Sequence, residues 1–199
     1  MKKHHKKIFA VVGMAGSGKT EAIEYLKRKF HWPKVYFPES LFNEIEKRGL
    51  ELNWDNERKM REGLRGEHGQ GVFAKLSLPK IQKMFKQSDV VLVESLYSWD
   101  EYKIIKRSYP DYFEVIAVYA SPAVRFERLQ NRKIRPIKTF KEFQERDESE
   151  IKVTGKGGPI AIADHTIINH GSINNLYSEV DKIMVEEGIT ESPRASDDQ

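Results

Sequence analysis

The chain contains no cysteine. That absence removes disulfides, thiolate nucleophiles and cysteine-ligated zinc together, and it suits a reducing intracellular compartment. Nowhere does an apolar run approach the ~20 residues that a membrane-spanning helix requires, and the basic first residues lack the apolar core of a signal peptide. A soluble, cytoplasmic protein is the expectation. Charge of one sign is scarcely in excess, since 34 Lys and Arg stand against 30 Asp and Glu. Lys2, Lys3, Lys6 and Lys7 account for the whole surplus. The basic balance therefore reflects a short leader, read as a solvated arm, and nucleic acid is not an expected partner. The six histidines show no metal-ligand spacing. Only His68 falls in a glycine-rich stretch. A length of 199 residues suits one medium-sized domain.

Against these absences stands one dense motif. Gly13-Met14-Ala15-Gly16-Ser17-Gly18-Lys19-Thr20 fits the phosphate-loop pattern G-x-x-x-x-G-K-[ST] at every fixed position. It follows the apolar run at residues 8–12 and opens a helical segment over residues 21–30, the context the motif requires. A loop that wraps a triphosphate must bring backbone N–H groups close to it, so bulky side chains are excluded at Gly13, Gly16 and Gly18. The amides of this loop, Ala15 and Ser17 included, then bind the phosphates. The following helix adds its positive N-terminal end, Lys19 reaches the β and γ phosphates, and the Thr20 hydroxyl ligates a bridging Mg²⁺. ATP and Mg²⁺ are the expected cofactors, with ATP and GTP undistinguished.

The remaining chain alternates between strands and helices. Residues 34–37, 90–94, 113–119 and 165–168 read as further strands, and residues 8–12, apolar without alternation, as a buried central one. Helices are expected at 40–48, 56–67 and 72–86, all between the second and third strands, and near 98–108. A last helix runs from Ser172 to about residue 187, and residues 188–199 are a polar tail expected to be flexible. Glu39 sits just past the second strand. Glu94 closes the apolar run of the third strand in the form of a Walker B acid, where it would support the metal.

Seven Lys or Arg residues and a single acid, Glu127, lie between positions 125 and 141. Arg125, Arg128 and Arg132 are spaced to share one helix face. Guanidinium groups on a mobile lid would close over the transferring phosphoryl group and exclude water. Thr139 caps a charged helix reaching residue 150, the second arm of that lid. Gly155-Lys156-Gly157-Gly158 lacks the full phosphate-loop pattern and reads as a hinge or flexible turn.

With these residues in place the chain resembles the dephospho-CoA kinase and nucleoside monophosphate kinase branch of P-loop proteins. More closely, it is similar to an archaeal family of dephospho-CoA-kinase-related or AAA-type ATPases. The matching stretches, spread from about residue 8 to 180, are Val12-Gly13-Met14 with Gly16-Ser17-Gly18-Lys19, Lys47-Arg48-Gly49-Leu50, Arg65 with Gly69 and Gly71, Ala120-Ser121-Pro122 with Arg125-Phe126-Glu127-Arg128-Leu129, Glu142-Phe143 with Glu145-Arg146-Asp147, and Ile162-Ala163-Asp164 with Ile168-Asn169.

The resemblance implies a three-layer α/β/α fold with a five-stranded parallel sheet in the order 2-3-1-4-5. It further implies one domain over residues 1–187, an acceptor-binding insert at about 39–86 and a lid at about 125–158. The implied activity is Mg²⁺-dependent transfer of the ATP γ-phosphoryl group to a small acceptor, nucleotide-like or CoA-precursor-like. Glu39 would act as base or orient the acceptor, Arg65 would grip it, and Arg128, Arg132 and Arg135 would close from the lid. Adenine would lie near residues 120–122 and 169–171, with Asn169 among its contacts.

Departures concentrate on the acceptor side. Glu39 replaces a usual Asp, Glu94-Ser95 replaces Asp-Gly, and Tyr97 and Phe42 stand where the family carries arginines. These losses weaken the case for the family's usual anionic group on the acceptor. Two other classes stay open: a regulatory ATPase that hydrolyses without an acceptor, and a nucleotide- or RNA-binding module without turnover. Neither the membrane association nor the oligomeric state is indicated by any sequence signal.

Overall fold

The structure is a computed structural model describing residues 6–133 and 136–189. Five strands form one parallel sheet: β1 (Lys7–Val12), β2 (Lys34–Tyr36), β3 (Val90–Glu94), β4 (Phe113–Tyr119) and β5 (His165–Ile168). Their order is β2-β3-β1-β4-β5, with β1 central, as the family resemblance implies. Residues 8–12 are at most 3% exposed, because a central parallel strand is covered on both faces.

The two faces sort by side-chain parity. Ile8, Ala10 and Val12 join Val91, Val93 and Val115 in one core, under α2 (Glu39–Lys47), α3 (Trp54–His68), α4 (Val72–Met84) and α5 (Trp99–Ser108). Phe9 and Val11 join Leu92, Ile116, Val118 and Ile167 in the other, under α1 (Lys19–Phe30) and α9 (Ile173–Glu186). The result is three layers. Helix starts follow local chemistry: the Asn53 side chain accepts from the Asn56 amide at the start of α3, and Ser98 and Glu101 form a reciprocal capping box at α5. Among the described residues no helix is long and apolar enough to cross a membrane.

Three expectations need correction. Helix α6 (Pro122–Gln130) stops before Arg132, so Arg132 does not share a helix face with Arg125 and Arg128. The 155–158 stretch does not stay a turn, for residues from Gly157 enter the short helix α8 (Gly157–Ala161). Lys7 is no part of a solvated arm; it begins β1, and its ammonium pairs with Glu114 and, at 2.6 Å, with Glu187. His165 completes this cluster at 3.1 Å from Glu187. Although Glu114, His165 and Glu187 lie close enough together to hold a cation, Lys7 already supplies one.

Register delivers the acid to the loop. Glu94 lies opposite Val11 of β1 and Tyr36 of β2, so the carboxyl ends of three strands meet beside Gly13. Helix α7 (Phe140–Lys152), capped by Thr139, returns the chain to the same edge, where Phe143 packs with Leu129, Ile137 and Ala15 of the loop.

Arg125 ties these parts together. It is only 5% exposed, donates to both Asp147 oxygens, one at 2.7 Å, and reaches the Ala15 and Ala120 carbonyls at 3.2 Å each. Removing one member of such a pair strands a buried charge. Asp147→Ala is therefore expected to lower the unfolding free energy by about 3 to 5 kcal/mol, read by urea denaturation. A loss within experimental error would contradict this role.

Candidate functional site

The phosphate loop is held open by contacts on its carbonyl side. Gly16 and Gly18 adopt φ of 81° and 102°, in the left-handed region where side chains are strained. A Cβ on Gly16 would also lie 2.8 Å from the Arg125 carbonyl, and one on Gly18 would lie 2.3 Å from Asn169 Nδ2. Thus the glycines answer to packing behind the loop as well as to the approach of a ligand in front. Asn169, buried, donates to the Ser17 carbonyl at 2.8 Å. Arg128 makes long contacts with the carbonyls of Gly16 (3.5 Å), Ser17 (3.4 Å) and Gly171 (3.3 Å). Both brace the loop from outside.

Its amide side is chemically ready for an anion. Helix α1 starts at Lys19 with Gly18 as N-cap and no side-chain cap, leaving first-turn N–H groups for a ligand. The Ser17 hydroxyl is buried without a partner among the described residues. The Ala15 amide donates to Glu150 Oε2 at 3.1 Å. The Lys19 ammonium lies 3.4 Å from the Met14 carbonyl and is pushed down to about 8 by burial, then by the nearby Lys156, Arg132 and Arg146, with Glu150 opposing.

A cavity of about 610 Å³ opens from this loop. Ala15, Gly16, Lys19 and Thr20 form one end; Tyr36, Phe42, Arg61 and Arg65 form the other. Glu94 lies between them, and Arg132, Arg146, Glu150 and Lys156 contribute a further wall. Of the residues expected from sequence, Lys19, Thr20, Glu94, Arg65 and Arg132 thus share one space. Glu39 is not in its lining; it pairs with Lys80 on α4. Arg128 lies behind the loop, and Arg135 falls outside the described residues. His68 lines a separate, smaller hollow of about 210 Å³ with Lys75 and Lys103.

Thr20 and Glu94 place a hydroxyl and a carboxylate on the same cavity, an all-oxygen donor set that fits Mg²⁺. Lys34 pairs with Glu94 and also with Glu24, fixing the acid's orientation from β2. Immediately after it, Ser95 has φ of 68°, strain of the kind that gathers at functional sites and the physical reason a glycine suits this position.

The acceptor end mixes rings with cations. Tyr36 and Phe42 pack with centroids 6.3 Å apart. Tyr97, the departure from the resembled family's arginine, donates to Ser95 Oγ at 2.8 Å, and burial pushes its hydroxyl up to about 12, so it stays neutral. Arg65 lies over the Phe73 ring at 5.6 Å, and its buried Nε has no hydrogen-bond partner among the described residues. Burial lowers its pKa as well. Sequence reasoning missed Arg61, although its spacing of four from Arg65 puts both on one helix face. It also gave no site role to Glu150, to Arg146, which lies in the family stretch Glu145-Arg146-Asp147, or to Lys156, which lies in a glycine-rich stretch read as a turn.

Fold and site together define a P-loop nucleotide-binding protein of kinase-like architecture. The sequence profile of the family described as "AAA domain" matches residues 10–152, and the chain belongs to that family. A UPF0200 protein of Thermococcus kodakarensis is 38% identical over 182 residues, covering 90% of this chain and 97% of its own. Among solved structures, TT1252 from Thermus thermophilus superimposes with a TM-score of 0.63 at 14% identity, covering 92% of this chain and 98% of its own. Shikimate kinase from Bacteroides thetaiotaomicron gives 0.57 at 16% identity, with 92% and 99% covered. At such identities these two likenesses show the fold alone.

The depressed Lys19 pKa carries a sign that can be checked. Below about 8 Lys19 is charged and attracts phosphate; above it, binding an anion must first return the proton. The ATP dissociation constant is therefore expected to be flat below that pH and to rise toward about tenfold per pH unit above it. A constant unchanged into the range of an ordinary lysine would contradict the assignment.

Proposed function

We propose that this chain is a Mg²⁺-dependent kinase that transfers the γ-phosphoryl group of ATP to a small, nucleotide-like or CoA-precursor-like acceptor. The observation that carries the reading is the single cavity joining Lys19 and Thr20 to Arg61, Arg65, Tyr36 and Phe42. Hydrolysis alone needs only a nucleotide and a water. A second, differently lined end favours an acceptor.

Within this reading the loop amides and Lys19 hold the phosphates, while Thr20 and Glu94 hold Mg²⁺, which would neutralise charge on the β and γ oxygens. Glu94, fixed by Lys34, is also the candidate base or acceptor-orienting carboxylate, in preference to Glu39, which does not line the cavity. Arg132 and Arg146, with Arg135 as a further candidate, stabilise charge from the lid, and Arg128 and Asn169 keep the loop in shape. At the acceptor end, Tyr36 and Phe42 suit a planar or apolar body. Arg61 and Arg65 suit a negatively charged group on it.

One observation favours the second reading, a regulatory ATPase: neutral Tyr97 and apolar Phe42 occupy positions where arginines would grip an acceptor. Labelled γ-phosphate decides between them. ATP with Mg²⁺ is offered with nucleoside monophosphates, nucleosides or dephospho-CoA, and GTP is tested as donor. The expected outcome is a labelled product with one acceptor class, reduced about a hundredfold or more in Lys19→Ala. Label released only as free phosphate, whatever the acceptor, would move the assignment to a regulatory ATPase. Arg65→Ala is expected to raise the acceptor KM about tenfold or more with the ATP KM unchanged; equal effects on both would contradict its place at the acceptor end.

A further inference from the structure

The Gly155-Lys156-Gly157-Gly158 stretch, a bare turn by sequence, puts a lysine into the inner wall of the cavity. Lys156 is 7% exposed, and its ammonium lies 4.4 Å from the centre of the Tyr97 ring. Its ion-pair partner among the described residues is Glu150, at 2.9 Å. A buried ammonium persists only beside an anion. The anion here has other partners as well.

Three donors from separate parts of the chain converge on that one carboxylate. Glu150 Oε2 takes the Ala15 amide at 3.1 Å and Lys156, while Oε1 takes Arg146 Nε at 3.4 Å. A phosphate-loop amide, an ammonium and a guanidinium are the set that binds a phosphoryl group. Lys19 also acts electrostatically on Glu150, and Lys156 is the strongest of the cations that depress Lys19. Three cations, Lys156, Arg146 and Lys19, therefore act on this carboxylate. A polyphosphate would satisfy them better than a carboxylate, and it would compete with Glu150 for the same N–H.

Glu150 and Lys156 belong to elements anchored differently. Glu150 is on α7, within the basic lid segment. Lys156 immediately precedes α8, where Gly158 lies against the Trp99 ring of α5; a Cβ there would approach it to 3.2 Å. Gly155, at φ 74°, turns the chain between the two. A shift of α7 can thus carry the carboxylate away and leave the ammonium in place.

Resting on the kinase reading above, we infer that Lys156 is a further catalytic residue, touching the terminal phosphoryl group of the bound nucleoside triphosphate, and that Glu150 holds its place until the nucleotide arrives. A purely structural salt bridge would tie α7 to the 155–158 turn, but it gives no reason for the carboxylate to occupy a phosphate-loop amide. In the bound state, the phosphoryl oxygens replace Glu150 as the acceptor of both Ala15 N–H and Lys156.

Equilibrium binding of ATP and of ADP, each with Mg²⁺, to the full chain, to Lys156→Met and to Glu150→Gln tests this. Lys156→Met is expected to weaken ATP about ten- to hundredfold while ADP changes less than about threefold. Glu150→Gln, which can still accept from Ala15 but carries no charge, is expected to tighten ATP. Equal weakening of both nucleotides by Lys156→Met, or no change in either, would overturn the inference and leave the kinase reading standing. A full chain that binds neither nucleotide would overturn both. If Lys156→Met does not fold, Glu150→Gln decides alone, and ATP bound no more tightly than by the natural chain overturns the inference.

Discussion

Everything at this site turns on how positive charge is held together beside the phosphate loop. Lys19, Lys156, Arg132 and Arg146 converge on the edge of the sheet where the phosphate loop lies, with Glu150 as the carboxylate among them. Burial penalises each ammonium, and like charges penalise each other. The compensation comes from Glu150, which is kept below the usual carboxylate range, against the effect of its own burial, by Lys156 and the Ala15 amide. Such an arrangement suits a site built to receive a more highly charged anion.

The fold exists to bring these groups to one edge. Parallel pairing puts all strand carboxyl ends on the same side, and ligands of open α/β sheets bind there. With β1 central and β3 beside it, Glu94 necessarily emerges next to Gly13. Insertion of α2, α3 and α4 between β2 and β3 then supplies the far wall with Arg61 and Arg65. Arg125 closes the assembly from behind, joining α6, α7 and the loop through one buried guanidinium. Loop shape, lid helix and sheet edge are consequently not independent.

How much of this could be read from sequence follows from the range of each signal. Residues 8–12 and 90–94 declare themselves because a strand covered on both faces is apolar throughout, and the loop because it fills every fixed position of the phosphate-loop pattern. Ser98, Thr139 and Ser172 mark helix starts through hydrogen bonds that span only three residues. Arg132 was misplaced because periodicity cannot tell where a helix stops: α6 ends at Gln130 without a glycine or proline to announce it. Glu39 and Arg128 carry the right chemistry at plausible positions, but partners distant in sequence, Lys80 and the loop carbonyls, decide where they point. Glu150 stayed invisible because its meaning is a contact with Ala15, far away along the chain, and Lys156 because its own is a contact with Glu150 and the Tyr97 ring.

The central claim is that nucleotide phosphates bind on the amide side of the loop and draw the Arg146-to-Lys156 wall around them. Amide hydrogen exchange on the full chain, with and without Mg²⁺ and a non-hydrolysable ATP analogue, tests it most directly. The account predicts new protection in two separate stretches, residues 13–20 and residues 146–156. Exchange at residues 13–20 unchanged by saturating analogue would contradict it.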